Sequence, residues 1–300
     1  MRYDGGHKRD SFLVDVLGRS VEWVPVCPEV EAGFGTPREP MRLARDARRP
    51  RLITIDTERD LTPALETFSK RRVRELETLD LVGYVFKRDS PSCGIEQVRV
   101  FNDHGKLTRN GVGLFARAFM KRFPLMPVED EGRLGDPAIR ENFIERVFSY
   151  RRWRDLLMEE QVTRHAVVNF HTIHKYLLLA HSREHYQHLG RLVANGHRYP
   201  PAEVARRYGR QFMEALKIKA TVRKHVNVLQ HIVGHLKDLL DAGEQAELRR
   251  AIGDYHQGLA PLVVSLTLVR RYVESYEVID LQHQVYLNPS PKELMLRNSI

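Results

Sequence analysis

The stretch "LVGYVFKRDSPSCG" (Leu81–Gly94) carries the reading on which the fold turns. Leu81–Lys87 is a short apolar run rich in aromatic and β-branched residues, without helical spacing, which predicts a buried strand. The serines, proline and glycine after it are turn formers, and they hold Cys93 between Pro91 and Gly94. The other cysteine, Cys27, sits in a similar setting, "WVPVCPEV" (Trp23–Val30). Two thiols pinned by prolines just past apolar runs are either two small buried hydrophobes, the usual state of a free cysteine, or groups placed for chemistry.

Working outward, the first half alternates strand and helix. "SFLVDVLG" (Ser11–Gly18) reads as a short helix, "EWVPV" (Glu22–Val26) as a strand and "RLITID" (Arg51–Asp56) as another. Leu61–Thr78 reads as a helix opened by Thr62 and Pro63, then come the strand Leu81–Lys87, the short strand "QVRVF" (Gln97–Phe101) and a helix over Gly111–Phe123. Such alternation predicts an α/β domain with a mostly parallel sheet and flanking helices. Ligands of such sheets bind outside the carboxyl ends of the strands. Cys27 and Cys93 each follow a predicted strand, so both are expected at one rim.

From Asp136 the pattern is helical only, so an all-α C-terminal domain is expected. Residues 136–160 read as a joining helix, and 161–300 hold helices near "VVNFHTIHKYLLLAHS", "REHYQHLGRLVANG", Pro201–Lys217, Val222–Leu240, Gln245–Gly258 and Val263–Tyr272. The tail "LNPSPKELMLRNSI" (Leu287–Ile300) shows no evident core face.

The composition, 42% hydrophobic over 300 residues, suits two moderate cores. Two cysteines form no disulfide framework and point to a reducing compartment. There is no charged-then-apolar leader and no apolar run near the roughly 18 residues that span a bilayer, so a cytoplasmic protein without membrane contact is expected. The net charge of +9 falls mainly in the second half, with all but two of the fourteen histidines. That half would attract an acidic polymer such as RNA, or simply present a solvated charged face.

Several residue groups invite chemistry. In "MRYDGGHKRD", Arg2, Asp4, His7 and Lys8 surround a Gly-Gly pair that lets backbone approach a ligand, although on spacing alone a plain turn is the better reading. In "VCPEVEAGFGTPREP", Glu29 follows Cys27 by two residues, and Thr36 and Arg38 follow a glycine pair; a thiolate beside a carboxylate suits a metal ligand next to a proton-transfer group. Ser90 and Ser92 flank Pro91 and can hydrogen-bond a substrate carbonyl or thiocarbonyl. A structural zinc site is poorly supported, since no C-x-x-C occurs. Lys175, Tyr176, Arg183 and Tyr186 interleave with His171, His174, His181, His185 and His188 as a metal-chelating set, a basic aromatic RNA face, or interior histidines.

Taken in order, "RYDGGHKRD", "PVCPEVEAGFGTPREPMRL" and "FKRDSPSCG" resemble the TudS-like desulfidases, and "NFHTIHKYLLLAHSREHYQHLGRLV" with "YLNPSPKELMLRN" resembles the YbgA-like helical domain often fused behind them. The resemblance implies a TudS-like domain over 1–135, a joining helix over 136–160 and a YbgA-like domain over 161–300. Fusions of this type are similar to RudS-type enzymes, which turn 4-thiouridine in tRNA into uridine. It further implies a [4Fe–4S] cluster on three cysteines with one iron open to the substrate sulfur. Cys27 and Cys93 match the second and third ligands, Glu29 and Ser90 match catalytic positions, and the first cysteine, in a "CLLG" segment, is expected upstream of Met1. The implied partner is tRNA or a free thio-nucleobase, with an RNA-binding protein lacking catalysis as the remaining alternative. The oligomeric state is left open.

Overall fold

The structure is a computed structural model that describes every residue except 1, 2, 7, 8, 103, 295, 296 and 298–300. The chain divides into two compact units, Met1–Gly135 and Asp136–Ile300. The first mixes strands and helices and the second is helical, as expected of an α/β domain followed by an all-α one.

In the first unit, β1 (Met41–Asp46) and β2 (Arg49–Thr54) form an antiparallel hairpin. β1 also runs parallel to β4 (Val98–Phe101), which pairs antiparallel with β5 (Leu107–Gly111). A second sheet pairs β3 (Tyr84–Phe86) in parallel with β6 (Val128–Asp130). The four-stranded sheet is therefore mixed rather than mostly parallel, and the two-stranded one is parallel. β1 escapes a local reading because "MRLARD" carries two arginines and an aspartate, and β5 because four of its five residues are exposed and leave no alternation to detect.

Glu22–Val26 is not a strand. Trp23 and Val24 face solvent, Pro25 lacks an amide donor, and the segment pairs with no strand among the described residues. Its apolar run is a lead-in to the Cys27 turn.

Helix α1 (Thr62–Glu77) starts with Pro63 in its first turn, where a missing N–H costs nothing. The Thr62 hydroxyl accepts the N–H of Leu52 at 2.8 Å, tying the helix start to β2. Its buried Leu65, Phe68, Val73 and Leu76 share the core with α2 (Leu114–Arg122). Tyr84 and Phe86 on β3 pack against Phe115 and Phe119 of α2, with ring centroids 4.4–6.5 Å apart. This aromatic cluster fixes the strand whose carboxyl end launches the Cys93 loop.

The second unit holds α3 (Pro137–Leu157), α4 (Arg164–His181), α5 (Arg183–Ala194), α6 (Pro201–Leu216), α7 (Val222–Leu236), α8 (Ala242–His256), α9 (Leu262–Ser275) and the short α10 (Ile279–Gln282). Side-chain caps mark five starts: Asp136, Thr163, Ser182, Thr221 and Asp241, the last in a reciprocal box with Glu244. Gly209 on α6 lets Trp153 of α3 lie close, since a Cβ there would stand 2.4 Å from the indole.

The tail does have a core face. Leu287, Leu294 and Arg297 are buried, and the Arg297 guanidinium donates to the carbonyl of Tyr286 at 2.6 Å and to Glu145 at 2.9 Å. The apparent lack of a face came from its prolines and polar residues, which hide a pattern set by the buried partners Glu145 and Tyr286 rather than by helical period. No helix among the described residues is long and apolar enough to cross a membrane.

Candidate active site

The Cys93 loop is held by its own chain. The Ser90 Oγ accepts the N–H groups of Ser92 at 3.2 Å and Cys93 at 3.1 Å, and the N–H of Gly94 donates to the Ser90 carbonyl at 2.8 Å. The carbonyls of Pro91 and Ser92 then accept the N–H groups of Leu114, Phe115 and Ala116, donors that a helix start otherwise leaves unpaired. Two glycines permit this close approach. A Cβ on Gly113 would lie 2.5 Å from the Ser92 carbonyl group, and one on Gly94 would lie 2.3 Å from a methyl of Val98.

The Cys27 side is built from a short helical turn, Val30–Phe34, which Pro28 and Glu29 lead into. The Glu31 N–H donates to the Cys27 carbonyl at 2.9 Å, and the Cys27 N–H donates to the Glu31 carboxylate at 2.7 Å. Gly33 and Gly35 take positive φ values of 86° and 74°, which end the turn and swing the chain towards Arg38.

Arg38 organises the space between. Its side chain is only 5% exposed, and it forms an ion pair with Glu29, itself 13% exposed. The same guanidinium donates to the Gly35 carbonyl at 3.1 Å and to Thr36 Oγ1 at 3.2 Å, while the Arg38 N–H donates to the Tyr3 carbonyl at 2.8 Å. The Ser90 hydroxyl donates to the other oxygen of Glu29 at 3.3 Å. Thus one carboxylate bridges the Cys27 turn and the Cys93 loop.

Cys93 is buried and Cys27 partly so. Burial pushes the Cys93 thiol well above its usual range, the negative charges of Glu29 and Cys27 push the same way, and the Ser90 hydrogen bond opposes them. Burial likewise raises Tyr84, with Cys93, Glu31 and Cys27 adding to the rise. The Ser90–Glu29 bond, the Cys93 amide bond to Ser90 and the Cys27 amide bond to Glu31 join the two cysteine segments in one neighbourhood.

Cys27, Glu29, Thr36, Arg38, Ser90 and Cys93 are therefore brought together. Ser92 belongs to the same loop but is fully buried, with its Oγ lacking a hydrogen-bond partner, so it supports the loop from beneath. Asp4 is exposed and accepts the Gly6 N–H at 2.9 Å; a Cβ on Gly5 would lie 3.4 Å from Thr36, so this turn borders the site. Arg2, His7 and Lys8 lie outside the described residues. Sequence reading missed Glu31, Arg72, Tyr84 and Gly113. Glu31, two residues after Glu29, and Tyr84, on the predicted strand, stood within quoted stretches; Arg72 and Gly113 act through contacts invisible along the chain.

The second-unit candidates divide differently. Tyr176 is buried, with the Lys175 ammonium 5.0 Å from its ring centre. Tyr186 stacks on His171 with centroids 5.9 Å apart, and Arg183 is exposed in the first turn of α5. His174 and His181 are interior: His174 bonds the Phe170 carbonyl at 2.7 Å, and His181 bonds Glu145 at 2.5 Å. Burial lowers His174 and His225 to about 3. Among the described residues no group of three or more His, Cys, Asp or Glu side chains is arranged to hold a metal ion.

Residues 1–131 match the model of the family described as 2-thiouracil desulfurase, and residues 175–291 match that of the protein of unknown function DUF1722. The uncharacterized protein YbgA of Escherichia coli (strain K12) is 31% identical over 144 residues, covering 48% of this chain and 85% of that protein. No solved structure matches. The chain belongs to the YbgA family through its second unit and carries a 2-thiouracil desulfurase family domain in its first, a TudS–YbgA fusion.

Proposed function

We propose that the first unit desulfurates a thiolated pyrimidine without redox change, with 4-thiouridine in tRNA as substrate, uridine as product and sulfide released. The observation that carries this reading is the Glu29 carboxylate, held by Arg38 on one oxygen and Ser90 on the other, beside both cysteines.

Cys27 and Cys93 fit as two of the thiolate ligands of a [4Fe–4S] cluster, since both come to one neighbourhood; the described residues supply no third cysteine. When bound, such a cluster supplies a Lewis-acidic iron to polarise a thione. The protein's own residues do the rest. Arg38 fixes the Glu29 carboxylate, and Glu29 takes a proton from the water whose oxygen bonds to the base carbon. The carbon–sulfur bond then breaks and sulfur leaves as hydrosulfide, so water supplies both the new carbonyl oxygen and the protons, and no electron acceptor is needed. Ser90 holds Glu29 and the Cys93 loop in mutual register.

The net charge of +9, concentrated in the second half, favours an RNA over a small neutral base, and such binding weakens steeply with salt. The test is anaerobic loading with iron and sulfide, followed by incubation with 4-thiouridine tRNA and, separately, free 2-thiouracil. Loss of thione absorbance from tRNA with matching sulfide release is expected. Turnover of the free base alone would replace RNA with a small substrate, and an iron-loaded chain inert on both would overturn the desulfuration.

A further inference from the structure

We infer that Glu31 and Arg72 form a positioning pair that sets the direction of the Cys27 thiol. The inference rests on the reading of Cys27 as a ligand at the site. The turn that follows Cys27 is short and ends at two glycines with positive φ, so it has little rigidity of its own. Its geometry is set where Cys27 and Glu31 hold each other: the backbone of Cys27 donates to the Glu31 carboxylate while its carbonyl accepts the Glu31 N–H. The free oxygen of that carboxylate lies 3.1 Å from Nε of Arg72 on α1.

Arg72 arrives preset, because Glu75 on the same helix lies 3.1 Å from another guanidinium nitrogen. Buried Phe68, Val73 and Leu76 anchor α1 in the core, so the Cys27 backbone is referenced to the rigid part of the domain through one carboxylate. Within "CPEVE" the two glutamates thus divide the work: Glu29 faces Ser90 and Arg38, and Glu31 faces Arg72 and the amide of Cys27. Glu31 and Arg72 side chains are 33% and 21% exposed, and ion pairs this open add little to stability. Their contribution is to orientation.

The test uses the full chain with Glu31→Ala, Glu31→Gln, Arg72→Ala and Arg72→Lys. In the unloaded protein, the iodoacetamide rate at Cys27 is followed by peptide mass spectrometry, with buried Cys93 as the internal report of unfolding. Glu31→Ala, which removes the hydrogen bond to the Cys27 amide, is expected to change the Cys27 rate by about 2- to 10-fold, and Arg72→Ala, which removes the ion pair behind it, by a smaller but measurable factor, with Cys93 still protected. Glu31→Gln, whose amide oxygen still accepts the Cys27 N–H, and Arg72→Lys, which keeps the charge, should lie closer to wild type. Iron bound after reconstitution should fall in the same order. Wild-type alkylation rates and iron content in both alanine variants would overturn the inference. Should the wild-type chain itself bind no iron, the reading of Cys27 as a ligand fails, while the alkylation series still decides whether the pair orients the thiol.

Discussion

The Ser90 hydroxyl stands 3.3 Å from a Glu29 carboxylate oxygen and donates to it, joining two loops 61 residues apart in the chain. Glu29 has a second, charged partner in Arg38, and Ser90 also holds the Cys93 amide. Glu29→Gln keeps the shape and removes the proton acceptor, so turnover on a thiolated base should fall by about 10²–10⁴-fold. Substrate affinity should change little. Ser90→Ala should lower turnover less and also raise the alkylation rate of Cys93. Steady-state kinetics with thiol mapping checks both; an unaltered rate in Glu29→Gln would remove the carboxylate from the reaction.

Gly113 is a packing prediction without any chemistry in it. Its missing Cβ is the room in which the Ser92 carbonyl sits while capping α2. Gly113→Ala should cost about 1–3 kcal/mol by overpacking and expose Cys93 to alkylation at temperatures where wild type is protected. Thermal melting with the same thiol mapping reads both effects.

The buried ion network of the second unit makes a stability prediction. Glu145 accepts from His181 and Arg297, and Arg297 also lies 3.7 Å from Glu141. Removing Arg297 leaves two buried carboxylates short of their cation, so Arg297→Ala should destabilise this unit by about 3–5 kcal/mol. Urea denaturation should show the loss, and the docked tail should become protease-sensitive.

Acid should weaken the second unit. Burial holds His174 and His225 neutral with values near 3, so below about 6.5 the unfolded chain binds protons that the folded chain refuses. Stability then falls as pH falls, by about 1.4 kcal/mol per pH unit for each group at full effect. Glu141, raised by burial to about 7, opposes this between 4.5 and 7, since there the folded state holds the extra proton. Burial tends to raise Glu145, but His181 and Arg297 outweigh it and hold the group near 2, so acidification below 4.5 adds a further loss. The net expectation is a modest decline from pH 6.5 to 4.5 and a steeper one below. Denaturation midpoints between pH 4 and 7.5 test it, and a flat profile would count against neutral buried histidines.

Much of the site was legible because its chemistry is local. Cys27 with Glu29, and Ser90 with Cys93, sit in two short motifs whose prolines, serines and glycines announce rigid loops. The glycine at 113 and the arginine at 72 were not legible. Each acts on a partner tens of residues away, and nothing about a helix-start glycine or a helix-face arginine reveals what will lie against it. The same holds for "LNPSPKELMLRNSI", where burial follows Arg297 into the second unit's ion network rather than any periodic face.

What the sequence by itself determined was the division into an α/β part and a helical part, the helices of the second half, and the placement of both thiols on constrained loops. Helical period, caps and turn residues are properties of neighbours in the chain, so they survive without a structure. Only the tertiary structure decided that Glu22–Val26 is no strand, that the four-stranded sheet is mixed, that Ser92 lies beneath its loop, and that Glu29 bridges the two cysteine segments. Strand pairing, close backbone approach and burial of charge depend on partners brought together from distant positions, and their free energies arise only when those partners meet.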